Sequence, residues 1–445
     1  MKYLIGLDIG TSSIKGVLIS ENGEITDKIN ISFQYSRKKD RIVEISAENF
    51  LDVCLKAIKI LCDSADGKIC SICASAASGN LLLVDKLGNP MTPIINWQDN
   101  RVTDEAKEIL GDINLDELYE RVGWPFDFET FPLAQLCYIK KHGPEILAKC
   151  SMVTMSTEYL YYVLTGKWGI STSAGTPFYL IDQRTGKYIP EIIEKLGINE
   201  AKLPPIMSCG KVLGYTTEKI SNSIGIPEGI PVVLGSFDHP SAARGAGILK
   251  EGEMLLSCGT SWVGFFPVKS RDKIAKAKTL IDPFLSPDGC WATMVSVPSV
   301  SADIKNYIER YIDSSDNKFN VLSDLAQKSE KGADGLVINP KDLPNDNIIL
   351  KYKKEHIARA IMEGTVRLLK DKLDELKVHG ITADTAVMVG GPSENPLWIK
   401  IIEDICSINV KVVHGAVAGA MGAAMLGGVG IGVYKDEQDA FSNCY

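Results

Sequence analysis

The stretch GLDIGTSSIKGVLIS, residues 6–20, limits the possible folds of this chain more than any other. An apolar run from Tyr3 to Leu7 ends in an acid, Asp8. A Gly-Thr-Ser-Ser turn follows, and then a second apolar run, Ile14 to Ile19. Two strands joined by a tight glycine turn aim several backbone N–H groups at one spot, together with the hydroxyls of Thr11, Ser12 and Ser13. Unpaired amides carry fixed partial positive charge, so such a nest binds phosphate oxygens. Asp8 at the strand end is placed to hold a metal through water, and Lys15 adds a point charge. The pattern recurs in MLLSCGTSWVGFFPV, residues 254–268, where Gly259, Thr260 and Ser261 align with Gly10, Thr11 and Ser12. In this second copy Ser257 stands in the place of Asp8 and Gly264 in the place of Lys15. Two facing cradles around one triphosphate is the arrangement these repeats suggest.

With 445 residues the chain has room for about three average domains or two large ones. Its formal net charge of −8 speaks against a nucleic-acid partner, because affinity for nucleic acid comes largely from Lys and Arg that neutralise phosphates. An acidic protein that binds a polyphosphate relies on backbone amides and Mg²⁺ instead. The opening MKYLIGLDIG lacks the regions of a secretory signal. Together with 11 cysteines, this leads to an expectation of reduced thiols and a cytoplasmic location. Cys70 and Cys73 form one CxxC in an apolar run, but no second pair completes a zinc site. The segment from Gly415 to Tyr434 is uncharged and long enough to span a bilayer. It is so rich in glycine and alanine, however, that a tightly packed soluble helix is expected and no membrane contact.

Along the chain, Glu21-Asn22-Gly23-Glu24 reads as a hairpin turn into a third strand near Ile25 to Phe33. Ser46 caps a helix with apolar residues at Phe50, Val53, Cys54, Ala57, Ile58 and Leu61, which make one buried stripe. A strand follows near Ile69 to Ala74, and residues 100–165 are rich in helix. The strand beginning at Pro231 ends at Asp238, before a small-residue helix. An acid at the carboxyl end of a strand faces the crevice where α/β proteins bind ligands. Later come a long helix from His356 to Leu376, a strand from Ala386 to Val389 and a Gly390-Gly391 turn. A helix, a short strand and the Ala/Gly helix end the chain. One boundary is expected near Gly247, giving domains of 1–247 and 248–445.

The order of these parts resembles the FGGY carbohydrate kinases. The likeness rests on Asp8 to Lys15, Trp97-Gln-Asp-Asn-Arg101, TEYLYYVLTG (157–166), the GSFDHPSAARGAG segment around Asp238 and the CGTS turn. It extends through ARAIMEG (358–364), GGPSENPLW (390–398) and AMGAAMLG (420–427). The resemblance implies an α/β fold of two ribonuclease-H-like domains, of the actin and hexokinase superfamily, flanking an interdomain cleft. It also implies ATP-dependent phosphorylation of a small sugar, ketose or polyol. Asp238 would be the general base and Asp8 would organise Mg²⁺. Thr11, Ser12, Ser13 and Lys15, with Gly259, Thr260 and Ser261, would surround the phosphates, and Gly390, Gly391 and Asn395 would meet the adenosine. Trp97, Asp99, Arg101, Asn80 and His239 would line the sugar site, and a homodimer is the family's habit. Two departures stand out. Ala77, Ser78 and Gly79 replace a long polar triplet, which removes the side chains that grip a ketose in the xylulokinase manner. Val417 replaces a customary acid. A sugar-sensing pseudokinase and an actin- or chaperone-like ATPase are the alternatives.

Overall fold

The computed structural model describes residues 1–445 except 34–35, 39–40, 287 and 414, and the side chains of 37, 38 and 416. By contacts the chain forms two units: Met1–Leu249 with Leu280–Gly289 and Val417–Tyr445, and Lys250–Thr279 with Cys290–Ala416. A single cut at 247/248 therefore leaves two segments on the other side. The last residues of the chain and the excursion 280–289 belong by packing with the first unit.

The first unit is built on strands β1 (Lys2–Ile9), β2 (Ser13–Ser20), β3 (Ile25–Ser32), β4 (Lys68–Ala76), β5 (Val212–Tyr215) and β6 (Pro231–Val233). They lie in the order β5-β6-β4-β1-β2-β3. β1, β2 and β3 form an antiparallel meander, whereas β1, β4 and β6 run parallel. The Glu21–Glu24 turn closes as expected, with Gly23 at φ 82, a conformation that glycine adopts without penalty. Helix α1 (Ala47–Asp63) starts at Ser46, whose Oγ accepts from the Asn49 N–H at 3.3 Å. Its buried stripe of Phe50, Cys54, Ala57, Ile58 and Leu61 covers the sheet. Each large apolar side chain so buried contributes ~1.5–3 kcal/mol.

Between β4 and β5 the chain makes a helix-rich insertion with its own core, which includes Leu81, Leu118, Leu133, Leu136, Phe178 and Ile192. Cys70 and Cys73 are buried in β4. Among the described residues no group of three His, Cys, Asp or Glu side chains is arranged to hold a metal.

Two further helices complete this unit: α2 (Asp238–Gly245) and, from the far end of the chain, the Ala/Gly helix α5 (Ala418–Gly430). Their small residues permit backbone-to-backbone crossing. A Cβ on Gly422 would stand 1.8 Å from the Ser241 carbonyl oxygen, and one on Gly245 would stand 1.9 Å from that of Ala418. β1 approaches α5 equally closely, since a Cβ on Gly6 would lie 2.0 Å from the Ala420 oxygen. Among the described residues no helix is long and apolar enough to cross a membrane.

The second unit repeats the plan. Strands β7 (Gly252–Cys258), β8 (Trp262–Val268), β9 (Trp291–Val297), β10 (Ala383–Val389) and β11 (Asn409–Val412) lie in the order β9-β8-β7-β10-β11. Again an antiparallel meander of three is followed by two parallel strands. Helix α3 (Lys354–Val378) and helix α4 (Pro396–Cys406) accompany this sheet. Shared strand order and direction in both units is the ribonuclease-H-like arrangement that the duplicated turns suggested.

The two turns differ in one respect. Asp8 faces Lys15 across the first hairpin, but Ser257 faces Val263 across the second, not Gly264. The second loop is one residue shorter between paired positions, so the equivalence of Gly264 with Lys15 does not hold in the ladder.

Candidate active site

Asp8 lies near the end of β1, with Lys15 opposite it on β2 and Ser75 opposite it on β4. The Ser75 hydroxyl donates to Asp8 Oδ1 at 3.4 Å. On the remaining side is the first turn of α5, where a Cβ on Gly419 would meet the Asp8 carboxylate at 2.5 Å. Only glycine fits there, and it brings the positive end of the helix to the anion. Burial pushes the Asp8 carboxyl up to about 7, the Asp238 charge adds to the rise, and Lys15 and Ser75 oppose it. A buried carboxylate under the charge of a second acid forms a site that favours a cation. Beside them the turn is closed by the Gly10 N–H donating to the Ser13 oxygen at 3.0 Å. Among the described residues the hydroxyls of Thr11, Ser12 and Ser13 have no hydrogen-bond partner, and the Lys15 ammonium has no ion pair.

Asp238 is the first residue of α2, held there because Phe237 pairs with Ala76 at the end of β4. Its Oδ1 accepts from the backbone N–H of His239 at 2.9 Å, and both side chains are partly exposed. The Ser241 hydroxyl donates to the Gly419 oxygen at 2.8 Å, which ties the starts of α2 and α5 together. The acid of residue 238 and the glycine against Asp8 are thus fixed by one helix crossing.

The expected sugar-site residues divide into two groups. Trp97 and His239 are partly exposed. Asn80 is buried, and its amide is spent internally: Nδ2 donates to Ser156 Oγ at 3.0 Å, and Oδ1 accepts from the Ser156 N–H at 2.7 Å. Asp99 is fully buried and accepts from the Val43 N–H at 2.7 Å and from Arg101 Nε at 2.7 Å. Arg101 also bonds Glu44 at 2.5 Å. The polar atoms of Asn80 and Asp99 are therefore engaged by protein partners, and these two side chains brace the loops around them.

In the second unit Gly259 and Thr260 are exposed, and their turn is bolted to the helix Val300–Tyr311. The Ser301 hydroxyl donates to the Gly259 oxygen at 2.7 Å, and the Ser299 N–H donates to Ser261 Oγ at 3.1 Å. Gly390 adjoins this turn: it has φ 102, and a Cβ on it would lie 2.3 Å from the Cys258 oxygen. Gly391 is exposed with open space about it. Asn395 caps α4 by accepting from the Leu397 N–H at 2.9 Å, and the Ser393 hydroxyl closes the Gly390 turn at 2.7 Å.

Residues 3–245 match the family model for the N-terminal domain of the FGGY family of carbohydrate kinases, and residues 254–431 match that for its C-terminal domain. The chain belongs to the FGGY family. This FGGY carbohydrate kinase is 26% identical over 444 residues to the xylulose kinase of Staphylococcus xylosus, a match covering 97% of this chain and 91% of that protein. It is also 26% identical over 452 residues to the gluconokinase of Bacillus subtilis (strain 168), covering 96% and 87%. Among solved structures, the ligand-bound xylulose kinase of Lactobacillus acidophilus superposes with a TM-score of 0.88 at 20% identity, covering 100% of this chain and 92% of that one. The Plasmodium falciparum glycerol kinase with ADP gives 0.87 at 18% identity, covering 99% and 92%. These neighbours show the fold: two actin/hexokinase-like domains.

One aromatic cluster near Asp238 escaped the motif reading. Trp124, Phe126, Phe128 and Phe131 fall in a segment that looked merely helix-rich, yet their rings form a cluster with Tyr179 and Phe237. Four aromatic residues in WPFDFETF, residues 124–131, were the available signal.

Proposed function

We propose that this kinase transfers the γ-phosphoryl group of ATP to a hydroxyl of a small sugar, ketose or polyol, with Asp238 as general base. The observation that carries this reading is the pairing of Asp8 and Asp238 beside a Gly-Thr-Ser turn whose hydroxyls have no protein partner. The acceptor hydroxyl gives its proton to the Asp238 carboxylate as its oxygen bonds to the γ-phosphorus. The bond from that phosphorus to the β–γ bridging oxygen breaks, and ADP leaves. General-base assistance of this kind contributes ~10²–10⁴-fold.

Thr11, Ser12, Ser13 and Lys15 stabilise charge on the phosphoryl oxygens from the first unit. Gly259, Thr260 and Ser261 do so from the second, where Gly390, Gly391 and Asn395 carry the adenosine. Phosphoryl transfer needs positioning and charge stabilisation more than covalent chemistry. Asp8 and Asp238 suit Mg²⁺, which is typically held by one or two carboxylates plus substrate phosphates and water. When bound, it neutralises phosphate charge. Trp97 and His239 meet the acceptor, while Asn80, Asp99 and Arg101 hold the surrounding loops. The test is ADP release across a panel of sugars and polyols. Acceptor-dependent turnover that is lost in Asp238→Ala supports the assignment. Acceptor-independent ATPase, or sugar binding without turnover, rejects it.

A further inference from the structure

We infer that the acceptor of this kinase is deoxygenated at the end remote from the phosphorylated hydroxyl, and that this end rests on a carbon platform built from Trp124 and Phe131. The inference deepens the kinase reading and rests on it.

Three observations carry the argument. The platform adjoins the reacting groups: the rings of Trp124 and Phe131 are 4.9 Å apart, Trp124 is 6.4 Å from Phe237, and Phe237 is 6.4 Å from the His239 ring. Phe237 directly precedes Asp238 in the chain. Trp124 and Phe131 are partly exposed, whereas Phe237 and Tyr179 behind them are buried.

Next, the platform takes space that a polar side chain would need. Gly79 has φ 83, and a Cβ on it would stand 2.5 Å from the Phe131 ring. No side chain at 79 can reach past that ring, and Ala77 and Ser78 beside it are short. Tyr179, itself buried, lies 5.4 Å from Phe131 and spends its hydroxyl on the Pro125 carbonyl at 2.9 Å, so it supports the rings without adding a polar group to the surface.

Finally, the backbone is strained to hold these rings. Phe128, Phe131 and Tyr179 have φ of 65, 68 and 63. Left-handed backbone at a bulky residue costs ~1–3 kcal/mol, persists only where the surroundings enforce it, and clusters at ligand sites. Three such residues in one aromatic cluster beside Asp238 form a built surface.

The chemistry that fits such a surface is a C–H face or a methyl group. A hydroxyl pressed against it loses its water without gaining a partner. Discrimination against one extra hydroxyl in an apolar pocket reaches about 100-fold.

The experiment uses matched acceptors: D-xylulose against 1-deoxy-D-xylulose, and a 2-ketohexose against its 6-deoxy form. Binding is read by thermal stabilisation and turnover by ADP release, for the wild type, Phe131→Ala and Trp124→Leu. The expected result is a preference of about 10- to 100-fold for one deoxy partner in kcat/KM, with tighter binding, and most of the preference lost in both variants. Equal or reversed preference with active turnover overturns the inference and leaves the kinase reading standing. Preferential deoxy binding without phosphate transfer supports the platform and overturns the kinase reading. Neither binding nor turnover of any pair overturns the inference, and the kinase reading is then decided by the wider panel of sugars and polyols.

Discussion

Gly422→Ala tests whether the crossing of α2 and α5 positions the chemistry. The added Cβ would stand 1.8 Å from the Ser241 carbonyl oxygen, a backbone atom, whereas real contacts of this kind are not closer than 3.0 Å. The helices must therefore separate by at least the difference, 3.0 − 1.8 = 1.2 Å. Asp238 opens the helix that carries Ser241, and Gly419 lies one turn before residue 422, against Asp8. Misplacement of a reacting group by ~1 Å costs about 10²-fold in rate, and overpacking costs ~1–3 kcal/mol in stability. The assay is kcat at saturating ATP and acceptor, with the melting temperature followed in parallel. Ile58→Val serves as the stability control. It removes one methyl from the fully buried stripe of α1, costs ~0.5–1.5 kcal/mol, and leaves kcat unchanged. If Gly422→Ala lowers the melting temperature but keeps wild-type kcat, the crossing does not align the acids and the reasoning fails.

Two other outcomes follow from named contacts. Asp282 is fully buried, with Ser173 donating to Oδ2 at 2.8 Å and Oδ1 without a partner among the described residues. Burial pushes its carboxyl up to about 7 from 3.8, with Ser173 and Arg244 opposing the rise. The folded state then holds the extra proton between those values, so this residue's contribution to stability falls as pH rises through that window. Its slope is at most ~1.4 kcal/mol per pH unit. Asp282→Asn should flatten that part of the melting-temperature profile between pH 4 and 7, and an unchanged profile counts against the assignment. Ser301→Ala removes the bond to the Gly259 oxygen and loosens the second turn. A neutral hydrogen bond of this kind is worth ~0.5–1.5 kcal/mol, so KM for ATP should rise about 2- to 10-fold while KM for the acceptor holds. A rise confined to the acceptor would show that this turn does not serve the nucleotide.

The hairpins, the α1 stripe and the strand-to-helix position of Asp238 could be read from residues because each depends on local periodicity and turn chemistry. The fate of individual polar side chains could not. Asn80 is consumed by Ser156, 76 positions away, and Asp99 by Val43, 56 positions away. Nothing local distinguishes such a brace from a side chain that meets a ligand. Helix α5 illustrates the same limit. Its glycines and alanines announce close packing without naming a neighbour, and the neighbours prove to be β1 at the opposite end of the chain and α2 near its middle. The shorter second turn was hidden because the aligned Gly-Thr-Ser residues match, whereas the lost residue shows only in which positions pair across the ladder. The aromatic platform was overlooked for a different reason. Its rings are brought together by backbone at positive φ in Phe128, Phe131 and Tyr179, a conformation that side-chain type does not forecast.

The most direct test of the central claim is phosphate transfer itself. Wild type and Asp238→Asn are incubated with ATP, Mg²⁺ and the acceptor panel, and phosphorylated product and ADP are quantified together. The account predicts one phosphorylated acceptor per ADP in the wild type. In Asp238→Asn it predicts a fall of ~10²–10⁴-fold in kcat with nucleotide affinity retained. Undiminished transfer by Asp238→Asn, or ADP formed without phosphorylated acceptor, would contradict it.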